Sequence, residues 1–312
     1  MVIPREAADR PGTVTQMLPI LAHRFLGEWS PGTKLPTVRE VARELGHSFS
    51  SVHAALTRLE EQGAIEIETH GRGGAYLRSR SVSRLWAVAE GGPLVLALPL
   101  ASSRRYEALA TALKQLLVNA GFDVFMMFVR GSKQRLKAVH DDRCHLAVMS
   151  SFAAGEISRR SDTIVAEMLP ASYNTGHRVY YTTDRSPGSP LRVVVDPQSA
   201  DQHLLSAIEF EDDHVVQVPA MYSQILNLLR SGDADAAVWT PDEMGTSLPS
   251  GLLERALSPA TQQRLGDRDT RAALVGKSTR AGALRAVTAA LDPSEVERVQ
   301  RAVIDGRLVP EY

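Results

Sequence analysis

Hydroxyl, guanidinium and imidazole groups crowd one short stretch of this chain. Within residues 35–77 lie Thr37, Arg39, Ser48, Ser50, Ser51, His53, Arg58 and Arg72, with Phe49 and Gly73 among them. Such groups neutralise phosphates and reach base edges, and a glycine lets backbone approach a duplex closely. A second set is spread along the rest of the chain. It comprises Ser102, Ser103, Arg104, Arg105 and Tyr106, then Ser150 and Ser151, Asp196 and Ser199, and finally Tyr222, Trp239 and Asp242. Serines and arginines with a few aromatic rings suit a small anionic or zwitterionic ligand. The same serines also serve as plain helix caps.

The elements that must carry the first set are written out in order. Pro36-Thr37-x-x-Glu40 is a capping-box start, and Val38, Val41, Ala42 and Leu45 form one apolar stripe at helical spacing. Gly46 supplies a left-handed stop. Val52, Ala55, Leu56 and Leu59 repeat the stripe, so a second helix is expected at about Ser50 to Gln62, ending at Gly63. Ile65 and Ile67 alternate with glutamates, His70-Gly71-Arg72-Gly73-Gly74 turns the chain, and Ala75 and Leu77 alternate back as a hairpin. Met17 to Leu26 offers a third helix. The second helix would lie in a major groove, and Arg72 at the hairpin tip would reach the adjacent backbone or minor groove.

This pattern resembles the DNA-binding domain of GntR-type bacterial regulators. Leu35, Pro36, Arg39, Ala42, Ser48, Val52, Ala55, Leu56, Leu59, Gly63, Gly71 and Gly73 match as they stand. The resemblance implies a contact from Arg39 and a close approach at Gly73. Where that family usually places arginines, this chain has Phe49 and His53, so the family's base contacts do not transfer. Residues 1–80 hold ten Lys and Arg against nine Asp and Glu. Arg39, Arg43, Arg58, Arg72, Arg78 and Arg80 are expected to gather into a basic face. Arg43 and Arg58 serve equally well as ion-pair partners of nearby glutamates. Near-neutrality predicts salt-sensitive operator binding helped by dimerisation.

Length and composition limit the rest. The 312 residues are 44% hydrophobic with net charge −1, enough for two or three domains with real cores. One cysteine, Cys144, rules out an internal disulfide framework and suits a reducing cytoplasm. No apolar run approaches membrane-spanning length, and Met1 to Gly12 is too polar for a signal peptide. A cytoplasmic protein without a membrane partner is expected. The domains are read as a head at 1–80, a short packed segment at 81–93 anchored by Trp86, and a second domain at 94–312.

From Leu94 strands and helices alternate. Strands are expected at Leu94–Leu98, Phe122–Val129 and His145–Met149, then at Leu191–Val195, Val215–Val218 and Ala236–Trp239. Helices fall between them, at Tyr106–Ala120 and Ser132–His140, then at Ser199–Ile208 and Tyr222–Leu229. Ala272–Val275 is expected to return to the first sheet before two closing helices, Ala281–Leu291 and Ser294–Ile304. Two α/β halves joined by crossing strands resemble the type 2 periplasmic-binding-protein fold. The string Leu228-x-x-Ser231-Gly232-x-Ala234-Asp235-Ala236-Ala237-Val238 is similar to a phrase common in it. The whole is an α+β winged helix-turn-helix followed by a two-lobed α/β periplasmic-binding-protein-like (type 2) domain, and it looks most like YhfZ-type transcriptional regulators. In open α/β sheets ligands bind beyond the carboxyl ends of strands, which is what selects the second set, with Arg105 as its anion anchor.

The expected function is a dimeric regulator that binds a double-stranded operator and responds to a small-molecule effector, with no cofactor. The alternatives are a small-molecule-processing enzyme or a non-allosteric DNA-binding protein with the same head. Catalysis is disfavoured: five lysines and a second domain of this length do not suit an aminotransferase-like partner. His140-Asp141-Asp142-Arg143-Cys144-His145 reads as a solvated turn with a buried thiol, not as a metal site, and Glu209 to His214 as a second solvated turn.

Overall fold

The computed structural model describes residues 11–183, 189–243 and 248–312. Residues 1–10, part of the segment read above as too polar for a leader, lie outside them. The first elements are α1 (Pro11–Gly27), α2 (Val38–Leu45), α3 (Phe49–Glu61), β1 (Ile65–Thr69), β2 (Ala75–Arg80) and α4 (Val82–Glu90). There follow β3 (Leu94–Leu98), α5 (Arg104–Asn119), β4 (Val124–Phe128), α6 (Ser132–His140), β5 (Leu146–Ser150), α7 (Ser151–Ile157) and β6 (Asp162–Glu167). Next come β7 (Arg178–Tyr181), β8 (Leu191–Val195), α8 (Ala200–Glu209), β9 (Val215–Pro219), α9 (Ile225–Ser231), β10 (Ala236–Trp239) and β11 (Leu253–Ala256). The chain closes with α10 (Pro259–Leu265), β12 (Ala272–Lys277), α11 (Ala281–Thr288) and α12 (Pro293–Ile304).

Two compact units result. Of the described residues, the first contains those within 11–94, 117–124 and 280–290; the second contains those within 95–116, 125–183, 189–243, 248–279 and 291–312. In the first, the capping box at Thr37 forms: its hydroxyl accepts from the Glu40 N–H at 3.3 Å, and Glu40 accepts from the Thr37 N–H at 2.8 Å. Gly46 ends α2 at φ 69°, the left-handed conformation that glycine adopts without strain. Ser48 caps α3, accepting from the Ser51 N–H at 3.0 Å. Strands β1 and β2 pair antiparallel around a single 3-10 turn at Gly71–Gly73, and the chain at Gly32–Leu35 lies along β2 through an isolated bridge, Lys34 opposite Tyr76. Met17, Leu21, Phe25 and Leu26 of α1 are buried with Val52, Ala55 and Leu59 of α3. Helix α4 buries Leu85 and Trp86, so the expected packed segment is a helix that packs on α1. Helix α11, from near the end of the chain, also packs on α1.

The second unit holds two five-stranded sheets. One runs β4-β3-β5-β12-β6, with β3 parallel to β5 and β12 antiparallel to its neighbours. The other runs β11-β7-β10-β8-β9, with β8 parallel to both β9 and β10. This is the two-lobed α/β plan the alternation predicts, including the return of Ala272–Val275 to the first sheet. Strands β6, β7 and β11 and helices α7 and α10 carry no strong alternation and are additions to the sequence reading. The expected Tyr222–Leu229 helix is a 3-10 turn, Tyr222–Gln224, leading into α9. Among the described residues no helix is long and apolar enough to cross a membrane.

Two expectations about charge are corrected. Glu209, read as solvated, is buried: it accepts from the Ser258 N–H at 2.9 Å and pairs with Arg255. A buried carboxylate needs such partners, and α10 starts where they are supplied. Arg80, read as part of a basic face, turns inward and donates to the carbonyls of Phe25 and Trp29, the latter at 2.7 Å.

Candidate functional site

The site in the second unit is a cavity of about 140 Å³ walled by residues of both sheets' loops. From the first lobe come Ser102, Tyr106, Arg130, Ser132, Arg135, Tyr173 and Asn174. His177, Asp196, Ser199, Asp201, Tyr222 and Glu243 come from the second. Ser103 starts α5 by accepting from the Tyr106 N–H at 3.3 Å, which sets the Tyr106 side chain at the first turn of the helix. Its ring meets Tyr173 edge-on, centroids 5.2 Å apart. Across the cavity the ring of Tyr222 meets Trp239 edge-on at 5.6 Å.

Arg135, on α6 and 3% exposed, fixes this wall. It donates to the carbonyls of Val148 at 2.7 Å and Val129 at 2.9 Å, and to the Tyr173 hydroxyl at 2.9 Å. Asp196, at the end of β8, accepts from the N–H groups of Gln198 at 2.9 Å and Tyr222 at 3.0 Å and pairs with Arg130. Asp201 accepts from the Ser150 hydroxyl, and burial pushes its proton affinity up against the pull of His177. His177 pairs with Asp269 at 2.8 Å. Burial opposes its charged form, but Asp269, Asp201 and Asp242 outweigh that and raise its pKa. Burial raises Tyr106 and Tyr222 well above 10, helped by Tyr173 and Glu243 at Tyr106 and by Glu243 at Tyr222, so both hydroxyls stay protonated.

The rims of the two lobes are hydrogen-bonded to each other. Lys133 donates to the Pro197 carbonyl at 2.9 Å, Gln134 to Gln198 at 2.9 Å, and Ser102 to Glu243 at 3.0 Å. Gly131 lies at φ 81°, and a Cβ there would stand 2.5 Å from the Gln198 carbonyl oxygen, so the close approach needs glycine twice over. These contacts join the two rims at the mouth of the cavity.

Of the sequence-derived set, Ser102, Tyr106, Asp196, Ser199 and Tyr222 line this cavity. Ser103, Ser150 and Ser199 are N-caps, as serines at helix starts often are. Ser151 is bonded to Glu167, and Arg104 to the Val303 carbonyl at 3.1 Å. Arg105 pairs with Asp242 at 3.2 Å and lines a neighbouring pocket with Pro170 and Glu297, not this cavity. Trp239 is buried behind Tyr222. The sequence reading passed over Arg130, Arg135, Tyr173, His177, Asp201 and Glu243, because no local motif joins them.

In the turn at 140–145 Asp141 pairs with Lys137 at 2.6 Å and with Arg143 at 3.9 Å, and the other side chains have partners elsewhere. His140 pairs with Asp162 at 2.6 Å, Asp142 with Lys277 at 2.6 Å, and His145 accepts the Val95 N–H at 3.0 Å. Burial pushes the Cys144 thiol up to about 12, so it stays an unreactive thiol at neutral pH.

In the first unit Phe49 opens α3 with half its surface exposed, and its ring lies 5.8 Å from that of His53, one turn on. Thr37, Arg39, Ser48, Ser50, His53, Arg58, Arg72 and Gly73 are exposed. Ser51 is buried, its N–H and hydroxyl both turned to Ser48. Among the described residues no carboxylate lies within ion-pair distance of Arg39, Arg43, Arg58 or Arg72, whereas Arg78 pairs with Glu66 at 2.8 Å.

Comparison with known proteins follows the same division. The family described as "YhfZ C-terminal domain" matches residues 81–312, and "Bacterial regulatory proteins, gntR family" matches residues 25–76. The Escherichia coli (strain K12) protein YhfZ is 32% identical over 220 residues, 70% of this chain and 72% of that protein. The crystal structure of YhfZ from Shigella flexneri covers 70% of this chain and 93% of its own, at 26% identity and a TM-score of 0.59. The periplasmic VFT2 domain of Bordetella pertussis BvgS matches 70% of this chain and 96% of its own, at 17% identity and a TM-score of 0.47.

Proposed function

This chain belongs to the family marked by the YhfZ C-terminal domain, here behind a gntR-family DNA-binding domain, and on that premise we propose that it is a ligand-responsive transcription regulator. The proposed ligand is a small anionic or zwitterionic metabolite bound in the cavity of the second unit. The observation that carries this reading is that cavity: both lobes wall it, and bonds join their rims at its mouth. A ligand held by both lobes favours a closed arrangement over an open one, and such differential affinity is what any allosteric response requires.

The chain path gives closure a route to the head. It passes between the two units at 94/95, 116/117, 124/125, 279/280 and 290/291, so the head's own unit includes α11, which follows directly after β12. We propose Thr37, Arg39, Ser48, Phe49, Ser50, His53, Arg58, Arg72 and Gly73 as the DNA-facing set, acting in a homodimer on a two-fold operator in the cytoplasm. Operator fragments selected from genomic DNA test the reading, with affinity measured before and after adding a compound that raises the protein's melting temperature. A change in affinity that Tyr222→Ala abolishes is expected. Unaltered operator affinity with every stabilising compound would overturn it.

A further inference from the structure

Most charged groups around the cavity have an ion-pair partner; among the described residues, Asp201 and Glu243 do not. Arg130 is bound to Asp196. Arg135 directs its donors to two carbonyls and the Tyr173 hydroxyl, and its charge faces Asp201. His177 is bound to Asp269, and Arg105 to Asp242. Glu243 is left over. It accepts from the Ser102 hydroxyl at 3.0 Å, and among the described residues no lysine, arginine or histidine lies within ion-pair distance of it. Tyr106 and Tyr222 line the cavity with it, and Trp239 interacts with its carboxylate.

We propose that the cavity takes a small ligand carrying a protonated amine, with the ammonium group against the Glu243 carboxylate and beside the faces of Tyr106 and Tyr222. The proposal rests on the effector-binding reading of this cavity and changes its ligand class: a purely anionic ligand is excluded, a zwitterion is retained and a simple amine is added. Three observations meet here. Glu243 is partly buried, and a partly buried carboxylate with no cation within ion-pair distance loses solvation that a bound ammonium offsets. Rings of protonated tyrosines present negative faces that attract a cation, most strongly where water is excluded. Burial raises the proton affinity of Glu243 and nearby Asp242 adds to it, while Ser102, Trp239 and the charge of His177 favour its carboxylate form. An anion brought into the same space would face Glu243 with Arg130 already engaged by Asp196. A void of about 140 Å³ compares with the roughly 150 Å³ that holds a benzene ring, so a ligand of about six to eight heavy atoms fits.

Calorimetric titration of the full chain with n-butylamine, 4-aminobutyrate and butyrate tests this. We expect one or both amines to bind and butyrate not to. Glu243→Gln should weaken the amines about 30-fold or more, as loss of one partner of a desolvated charge pair does. The unliganded Glu243→Gln protein should melt no lower than the wild type, because it loses an uncompensated charge and keeps the shape. A marked fall in its melting temperature would show Glu243 to be a structural partner and overturn the proposal. So would amine binding unchanged by Glu243→Gln. If butyrate binds as well as the amines and Tyr222→Ala abolishes it, the amine subsite falls while effector binding stands. Failure of all three probes to bind also counts against the amine proposal; operator affinity decides the wider reading separately.

Discussion

Gly27, at the end of α1, and Gly282, in the first turn of α11, meet backbone to backbone: a Cβ built on Gly282 would stand 2.7 Å from the Gly27 Cα. The two are far apart in the chain, yet both lie in the unit that carries the DNA-binding head. Gly282 has no positive φ to protect, so the requirement is purely steric. Gly282→Ala must push α11 from α1, and overpacking of this kind costs about 1–3 kcal/mol. We expect a lower urea midpoint with an unchanged slope. A midpoint equal to the wild type would mean that the α1–α11 approach is loose.

Arg80 acts as a cap. Its guanidinium donates to the carbonyl of Phe25 in the last turn of α1, where helix carbonyls lack partners and a positive charge is favoured, and to that of Trp29 just beyond the helix. Burial lowers its pKa, although it stays charged. Arg80→Met should destabilise the head by about 1.5–3 kcal/mol, the usual scale for hydrogen bonds from a charged group. Arg72→Met, at the exposed wing tip, should leave stability unchanged and weaken operator binding at low salt. Equal stability of the two variants would refute this division of roles.

Phe49 is expected to read a thymine. It stands at the amino end of α3, half exposed, in the position from which a recognition helix addresses base edges, and an aromatic ring there suits the thymine 5-methyl group. Replacing single thymines by deoxyuridine in a bound operator should reveal one position per half-site that costs about 1 kcal/mol. In Phe49→Ala that substitution should cost nothing further. Tolerance of deoxyuridine at every position would remove Phe49 from base readout.

His177 gives stability a pH dependence of known sign. Its folded pKa lies above the usual 6.5, because Asp269, Asp201 and Asp242 outweigh its burial. A raised value means that the histidinium stabilises the fold fully below about pH 6.5 and that this contribution fades as pH rises through the folded value. His177→Asn leaves Asp269 without its cation and should cost about 3–5 kcal/mol at the acid end of that range. The gap between variant and wild type should shrink as pH increases. A gap that widens with pH would contradict the assignment.

The winged head was legible in the sequence because each of its signals is local. Thr37 and Glu40 cap one turn, Gly46 ends it, Ser48 starts the next helix, and Gly71–Gly74 turn the hairpin, all within a few residues of the groups they satisfy. The alternation that predicts two α/β lobes is also local, one apolar run or stripe at a time. Strand β11 shows the limit: Leu253–Ala256 is exposed throughout and lies at a sheet edge, so no buried face imprints a period on it.

The candidate site was legible only in part. Strand-end serines and Tyr106 and Tyr222 follow from the rule that loops after strands line clefts. Arg135, His177 and Glu243 follow from no such rule, because their partners, Val148, Asp269 and Ser102, are distant in sequence.

The sequence by itself determined what the local backbone must do: where helices start and stop, which faces are apolar, and that the head matches a DNA-binding pattern. Only the tertiary structure decided which charges are left without partners. That depends on what the returning strands bring together: Arg80 is occupied by the end of α1, Arg105 by Asp242, and Glu243 by no cation among the described residues. A hydrogen bond within one helix turn is set by spacing, whereas the pairing of a buried charge is set by every element packed around it.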